Sequence, residues 1–354
     1  MAAPLVAPSE TAVLDALRAV QDPDLHQDIV SLGFVKDLRI CGNNVAFSIE
    51  LTTPACPVKD LMKGQAERAV RALPGVQDVA IEMTARVTAS RPVLGNKGLI
   101  PGVKNVIAVS SGKGGVGKST VAVNLACALQ RTGARVGILD ADVYGPNVPL
   151  MLGVRGQPTA VDKKIVPFEK HGLQVMSMAL LVAEDQPVIW RGPMLHSAVR
   201  QFLFDVAWHD LDYLVVDLPP GTGDAQLSLS QQAHLMGAVI VTTPQDVSVL
   251  DVKKAIRMFQ TVNVPILGVV ENMAWFTPPG QKERYFLFGQ GGGQKIEREF
   301  GVPLLGQIPI EVAVREGGDT GQPIVVAAPG SASAIAITEV AGKVAQRISI
   351  LNAE

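Results

Sequence analysis

Cysteine is scarce in this chain of 354 residues, with three in all, Cys41, Cys56 and Cys127. An odd number at wide spacing excludes a disulfide framework. A surplus of one charge is missing too. Lys and Arg number 31 against 33 Asp and Glu, for a formal net charge of −2. Bulk electrostatics therefore give no reason to expect a nucleic acid as partner. No run approaches the ~18 uninterrupted apolar residues that span a bilayer. The segment from Met1 to Asp15 lacks the basic start and apolar core of a secretory signal. The expectation is a soluble, cytoplasmic protein that binds neither nucleic acid nor membrane. What is present excludes disorder. Hydrophobic residues make up 47% and charged residues 18%, a composition whose burial offsets the entropy of ordering. At ~150 residues per domain, the length predicts about two domains.

The pattern changes along the chain. Ser9 is placed to cap a helix carrying Val13, Leu14, Leu17 and Val20 at helical spacing, stopped by Asp22-Pro23-Asp24. Val45, Phe47, Ile49 and Leu51 alternate as in a half-buried strand, with Phe34 to Ile40 as its partner across the turn Gly42-Asn43-Asn44. Pro57 fits the first position of a helix reaching about Leu73, and Val76, Val79, Ile81 and Met83 predict a further strand. Residues 1–90 thus read as a small α+β domain. Residues 91–104 hold Pro92, Gly95, Gly98, Pro101 and Gly102 with little periodicity, which reads as a linker. From 105 to 354 short apolar runs alternate with helical stretches. The runs are Val106–Val109, Val136–Leu139, Tyr213–Val216, Ala238–Val241 and Ile266–Val270. Strands apolar throughout are buried on both faces, so this part is expected to be α/β, a mainly parallel sheet covered by helices.

One motif carries phosphate chemistry. Gly112-Lys113-Gly114-Gly115-Val116-Gly117-Lys118-Ser119 follows a predicted strand and opens a helix, the context a P-loop requires. Glycines let successive N–H groups turn inward around phosphate oxygens, and the helix N-terminus adds partial positive charge. Lys118 would reach the β- and γ-phosphates, Ser119 would place its hydroxyl on Mg²⁺, and Thr120 would lie near the α-phosphate. Asp217 ends an apolar strand, as does a carboxylate that holds a magnesium shell. Asp140 and Asp142 end another, and either is suited to the metal shell or to orienting an attacking water. Lys113 is less ordinary. It cannot easily reach the same phosphate from the same side as Lys118, but a lysine donated across a dimer can.

These residues resemble the deviant P-loop of the dimeric ATPase class that includes MinD, ParA and the nitrogenase iron protein. Within that class, four stretches are similar to the Mrp/ApbC iron–sulfur carrier ATPases: Asp140 to Asn147, Trp190-Arg191-Gly192-Pro193-Met194, Asp217 to Asp224, and Glu271-Asn272-Met273. Leu51-Thr52-Thr53-Pro54-Ala55-Cys56-Pro57 resembles the signature of SufT-like iron–sulfur assembly modules. The resemblance implies a P-loop ATPase fold and an ATP- and Mg²⁺-dependent homodimer that assembles clusters and passes them between iron–sulfur scaffold and apo-client proteins. It implies that Lys113 acts across the dimer and that Asp142 orients water, which leaves Asp140 expected in the magnesium shell. It also implies that Asn272 contacts adenine and that the Trp190 stretch lies near the subunit interface.

One departure stands out. Carriers of this family commonly have a Cys-x-x-Cys pair soon after the Glu-Asn-Met stretch, bridging a [4Fe–4S] cluster between subunits. Here no cysteine follows Cys127. Cys127, among apolar helix positions, reads as a buried hydrophobe, and Cys41 as incidental. Cys56 stands at a helix start, where the dipole is expected to favour thiolate. It is the expected ligand of a transiently held cluster. The rival reading is an ATP-switched organiser of the MinD or ParA type without its own cluster. The last helix argues against membrane binding, because its apolar face (Ile337, Val340, Val344, Ile348 and Leu351) carries only Lys343 and Arg347 as nearby cations.

Overall fold

The computed structural model describes residues 7–90, 98–142, 145–181, 192–221 and 223–353. Val143, Tyr144, Trp190, Arg191 and Thr222, and residues 91–97, for which the sequence raised expectations, lie outside the described residues. The chain divides into two compact units, one of residues up to 88 with 349 onward, the other of 89–348.

In the first unit, α1 (Glu10–Leu17) begins where Ser9 Oγ accepts from the Ala12 N–H at 3.2 Å. The two-residue strands β1 (Gln21–Asp22) and β2 (Gln27–Asp28) follow as a short antiparallel ladder. Between them the Asp22 carboxylate accepts from the N–H groups of Asp24 and Leu25, at 2.8 and 3.0 Å. The helix has already ended at Leu17, short of the Asp22-Pro23-Asp24 stop expected, and this side-chain turn instead folds the chain between β1 and β2. β3 (Val35–Cys41) pairs antiparallel with β4 (Asn44–Leu51), and α2 (Lys59–Arg71) crosses over to β5 (Asp78–Ala85), parallel to β4. Val45, Phe47, Ile49 and Leu51 of β4 are buried with Val13 and Leu17 of α1 and Met62, Ala66 and Val70 of α2, the last three spaced at i, i+4 and i+8 on one helix face. Pro57 departs from expectation. Cys56 O accepts from Lys59 N at 3.4 Å, so Pro57 and Val58 are the centre of a turn, and the helix starts only at Lys59.

The second unit runs β6 (Val103–Ser111), α3 (Lys118–Arg131), β7 (Val136–Asp140), α4 (Val148–Leu152), β8 (Ala160–Val161), β9 (Lys164–Ile165), β10 (Phe168–Lys170), β11 (Leu173–Ser177), α5 (Gly192–Phe204), β12 (Leu211–Asp217), α6 (Asp224–Gln232), β13 (Gly237–Thr242), α7 (Asp246–Thr261), β14 (Ile266–Glu271), α8 (Gly292–Phe300), β15 (Leu304–Gln307), α9 (Val312–Thr320), α10 (Ile324–Ala327) and α11 (Ala332–Ala353). Eight of these strands form one sheet in the order β10-β11-β7-β12-β6-β13-β14-β15, parallel except for the β10–β11 pair. The five strands expected from apolar runs are its five contiguous central members, and they are buried nearly throughout. The flanking strands β10, β11 and β15 were not foreseen. They are short, and two of them are only half apolar, because an edge is covered on fewer sides.

The stretch read as a linker ends sooner than expected. Gly98 N donates to Gln232 O at 2.9 Å and Gly98 O accepts from His234 N at 3.1 Å, while Gly102 O accepts from Leu211 N at 2.7 Å. Residues 98–104 therefore belong to the sheet unit. On α11, Ile337, Val340, Val344 and Ile348 are buried. The helix lies so close to β15 that a Cβ on Gly306 would meet Val340 at 2.6 Å. Docking on the sheet accounts for the apolar face of that helix. Among the described residues no helix is long and apolar enough to cross a membrane.

Gly102 fixes the entry into β6. Its φ is +77°, and a Cβ there would lie 2.2 Å from the Trp208 carbonyl oxygen. Gly102→Ala is expected to lower unfolding stability by more than ~1 kcal/mol, read as a lower urea midpoint of the full chain; an unchanged midpoint refutes the account.

Candidate nucleotide site

The site is built at the C-terminal ends of the central strands, where such sheets bind ligands. β6 ends at Ser111, the chain turns through Gly112 to Gly117, and α3 starts at Lys118. Gly115 and Gly117 have φ of +80° and +82°, the left-handed region that glycine enters without cost. Gly117 also has a neighbour that forbids a side chain, since a Cβ would stand 2.2 Å from Asn272 Nδ2. At Gly112 a Cβ would stand 2.3 Å from the Asp251 carbonyl carbon of α7. Gly114 faces open space, and Val116 is buried and anchors the loop. The unbonded N–H groups at the start of α3 are directed into this turn.

Charge converges on Lys118, itself 6% exposed. Its Nζ lies 2.6 Å from Asp217 Oδ1, 3.7 Å from Asp142 Oδ2 and 3.3 Å from Ser119 Oγ. The sheet register makes this possible: Asp217 pairs with Asp140 on one side and Val109 on the other, so β12 and β7 deliver carboxylates level with the end of β6. Burial pushes the Asp217 carboxyl up, and the Lys118 ammonium opposes that shift. The second oxygen, Asp217 Oδ2, is buried with no hydrogen-bond partner among the described residues, a state that costs about 1–3 kcal/mol when nothing answers it. An acceptor-only oxygen left open beside the Ser119 hydroxyl fits the hydrated shell of a divalent cation.

Asp140 was expected in that shell and is placed differently. Its Oδ1 accepts from Asp142 N at 3.1 Å, and its Oδ2 from Val148 N at 3.2 Å and Ser177 Oγ at 3.1 Å. It braces the Asp142 loop against α4 and β11. Burial and the neighbouring Asp217 charge push its carboxyl up to about 8. Thr120 is half-buried in the first turn of α3, its carbonyl accepting from Asn124 Nδ2 at 2.9 Å. Lys113 stands apart from the Lys118 cluster. Its carbonyl accepts from Ser111 Oγ at 2.9 Å, and its Nζ reaches Gln245 Oε1 at 3.4 Å. Asn272, just past β14, donates from Nδ2 to Val116 O at 2.9 Å and so touches the loop directly. Sequence reading missed Gln245, whose signal was its place three residues past a strand end, and gave Glu271 no role although it opens the Glu271-Asn272-Met273 stretch.

The cysteines correct one expectation. Cys56 lies three residues ahead of α2, not on its first turn, and is half-buried. Burial pushes its thiol up, with the Asp22 and Asp24 carboxylates adding to the shift against a hydrogen bond from Val58. Thiolate is not favoured at rest. Cys127 is buried, its thiol pushed up to about 12, and Cys41 is exposed. Among the described residues no three His, Cys, Asp or Glu side chains are grouped to hold a metal ion.

The raised Asp140 carboxyl has a consequence for stability. The folded protein holds that proton where the unfolded chain releases it, so its contribution is complete below about pH 4 and fades as pH rises toward about 8. Asp217 shifts in the same direction. The nucleotide-free protein is expected to lose stability from pH 5 to pH 8, with a shallower slope in Asp140→Asn, measured by urea unfolding at each pH. Equal slopes in the two proteins refute the assignment.

The family model described as NUBPL iron-transfer P-loop NTPase matches residues 102–345, and that described as iron-sulfur cluster assembly protein matches residues 10–83. The chain is 52% identical over 345 residues to the iron-sulfur cluster carrier protein of Synechocystis sp., covering 96% of this chain and 98% of that one. It is 45% identical over 357 residues to the chloroplastic Fe-S cluster assembly factor HCF101 of Arabidopsis thaliana, covering 96% of this chain and 66% of that one. Among solved structures it is similar to a nucleotide-binding protein of Archaeoglobus fulgidus in complex with ADP. That match has 41% identity and a TM-score of 0.57, and spans 63% of this chain and 88% of that one. The cell division ATPase MinD of Pyrococcus furiosus is similar at 25% identity and a TM-score of 0.52, over 68% of this chain and 97% of that one. A glycine loop closed on Lys118, set in a parallel sheet and preceded by an assembly-type module, thus agrees with matches over most of the chain: it belongs to the NUBPL-type iron-transfer P-loop NTPases.

Proposed function

We propose that this protein is an ATP-hydrolysing iron–sulfur cluster carrier, in which nucleotide turnover in the sheet unit governs acquisition and release of a cluster passed to apo-proteins. The observation that carries the reading is Lys118, buried between Asp217 and Asp142 beside the unpartnered Asp217 Oδ2. ATP binding draws the Lys118 ammonium from Asp217 onto the β- and γ-phosphates, while the N–H groups of the loop from Gly112 to Thr120 wrap the phosphate chain. Mg²⁺, when bound, neutralises phosphate charge, and Ser119 Oγ and Asp217 Oδ2 are the atoms open to its shell, with Asp140 bracing from behind. Asp142 holds a water in line with the γ-phosphorus. That water's oxygen bonds to phosphorus as the bond to the β-phosphate oxygen breaks and its proton passes to Asp142 and on to the phosphate released, leaving ADP and phosphate.

Lys113 is assigned to the γ-phosphate of a second copy. Among the described residues its Nζ is held by one long hydrogen bond, to Gln245, within reach of release toward a partner. A charge supplied in trans is worth ~10³–10⁵ in rate in the analogous arginine-finger case. Asn272 is assigned to the base. Its Nδ2 is committed to Val116 O, which leaves Oδ1 to accept from the 6-amino group of adenine and to repel the 6-oxo group of guanine. The cargo is assigned to Cys56, at one thiol per chain, so a [4Fe–4S] cluster needs further ligands from a second copy, Cys41, small thiols or a client. A small module of the first ~90 residues ahead of the nucleotide-binding unit, and a cytoplasmic homodimer, belong to the same proposal.

Two experiments test the reading. Lys118→Ala is expected to lose nucleotide binding, whereas Lys113→Ala keeps binding and loses hydrolysis by ~10³ or more, followed by phosphate release and a fluorescent nucleotide. Parent-rate hydrolysis in Lys113→Ala sinks the in-trans role. Anaerobic reconstitution of Cys41→Ser, Cys56→Ser and Cys127→Ser is expected to show loss of bound iron in Cys56→Ser, and tighter loading of the parent as pH rises, since ligation displaces the thiol proton. Parent-like iron in Cys56→Ser overturns the cargo assignment.

A further inference from the structure

The end of β14 carries a carboxylate that no step above uses. Glu271 is completely buried. Its Oε2 accepts from the Gly293 N–H at 2.6 Å, and its Oε1 from Gln307 Nε2 at 2.5 Å. Both donors are neutral. A buried carboxylate is costly unless its oxygens are answered with good geometry, so this one ties together the elements that answer it. Gly293 is the second residue of α8, whose positive end faces the charge. Gln307 ends β15 and is the residue paired with Glu271 in the ladder.

The ties bear on the residue that follows. Asn272 N donates to Thr242 O of β13 at 2.8 Å, and Ile308 N donates to Glu271 O at 2.9 Å, so this end of β14 is gripped from both sides. Met273 then takes φ +56°, a region a side-chain-bearing residue holds only where its surroundings enforce it. The Asn272 carboxamide emerges from this clamp to meet Val116 O, against a glycine, Gly117, that leaves no room for a Cβ. The helix end is forced close as well, since a Cβ on Gly293 would meet Leu304 at 2.6 Å. A slackened Glu271 therefore displaces the Asn272 carboxamide before anything else at the nucleotide site.

We infer that Glu271 is a positioning residue of the nucleotide site, which locks the Asn272 carboxamide by tying β14 to α8 and β15 and thereby sets discrimination between purine bases. The inference rests on the reading of Asn272 as the base contact. The test measures ATP and GTP affinity of the full-length chain, well below its unfolding temperature, by competition with a fluorescent nucleotide. In Glu271→Ala the ATP/GTP affinity ratio is expected to fall about three- to ten-fold, the worth of roughly one hydrogen bond. Glu271→Gln keeps both bonds once the Gln307 amide turns over, and is expected to retain the parent ratio. A merely structural role lowers the unfolding temperature of Glu271→Ala and leaves the ratio unchanged, which overturns the inference. Should Glu271→Ala not fold, Gln307→Ala removes one tie, and a parent-like ratio there overturns the inference equally. Asn272→Ala separates the two failures. If it binds both nucleotides as the parent does, the base-contact reading has failed; if it alone loses the preference, only the role of Glu271 has.

Discussion

The ion pair between Lys118 and Asp217, 2.6 Å long and closed to solvent, is the constraint on which the rest of the sheet unit depends. Either charge alone would be intolerable at that depth, and removing one partner of a buried pair typically costs about 3–5 kcal/mol. The pair forms only because two parallel strands end at the same height and a glycine loop returns the helix start over them. A sheet slipped by one residue would turn Asp217 to the other face. The glycines follow from the same requirement, since at Gly112 and Gly117 the neighbouring chain lies where a Cβ would be. In the proposed mechanism the pair is a resting state that nucleotide exchanges: Lys118 leaves Asp217 for phosphate, and the carboxylate so released is the one with an oxygen open among the described residues.

Behind that pair lies a second rank of polar groups whose work is placement. Asp140 fixes the loop that carries Asp142, and Glu271 fixes the strand end that carries Asn272. Asp140 is answered by two backbone N–H groups and the Ser177 hydroxyl, Glu271 by one backbone N–H and the Gln307 side-chain amide, so each ties its loop or strand end to neighbouring elements. Asp142 and Asn272, the groups proposed to face phosphate and base, are thereby held by buried acids assigned no contact with nucleotide.

The first unit follows a different logic. It holds the one cysteine that is neither fully exposed nor sealed in a core, with its thiol kept protonated by burial and by two nearby carboxylates. A resting thiol is less open to oxidation than a thiolate, which suits the brief holding of cargo proposed for it.

Much of this was written in the sequence by itself. Five apolar runs marked the central strands because strands covered on both faces have no polar positions to interrupt them. The phosphate loop was legible because its geometry is local, a matter of glycine φ angles and one helix start. Ser9 as a helix cap and the alternation from Val45 to Leu51 are local in the same sense. Only the tertiary structure decided what depends on distant contacts. Pro57 marked a turn and not a helix start, and residues 98–104 were bound to the sheet unit by partners more than a hundred positions away. Cys56 had its proton affinity set by burial against the direction a nearby helix would give. Asp140 and Asp217, alike in sequence as acids ending apolar strands, were given different neighbours, a full set of donors for one and an open oxygen for the other. Periodicity encodes which face of an element is buried, but the partner of a buried polar atom is fixed by register and packing between elements far apart in the chain, and no local pattern records it.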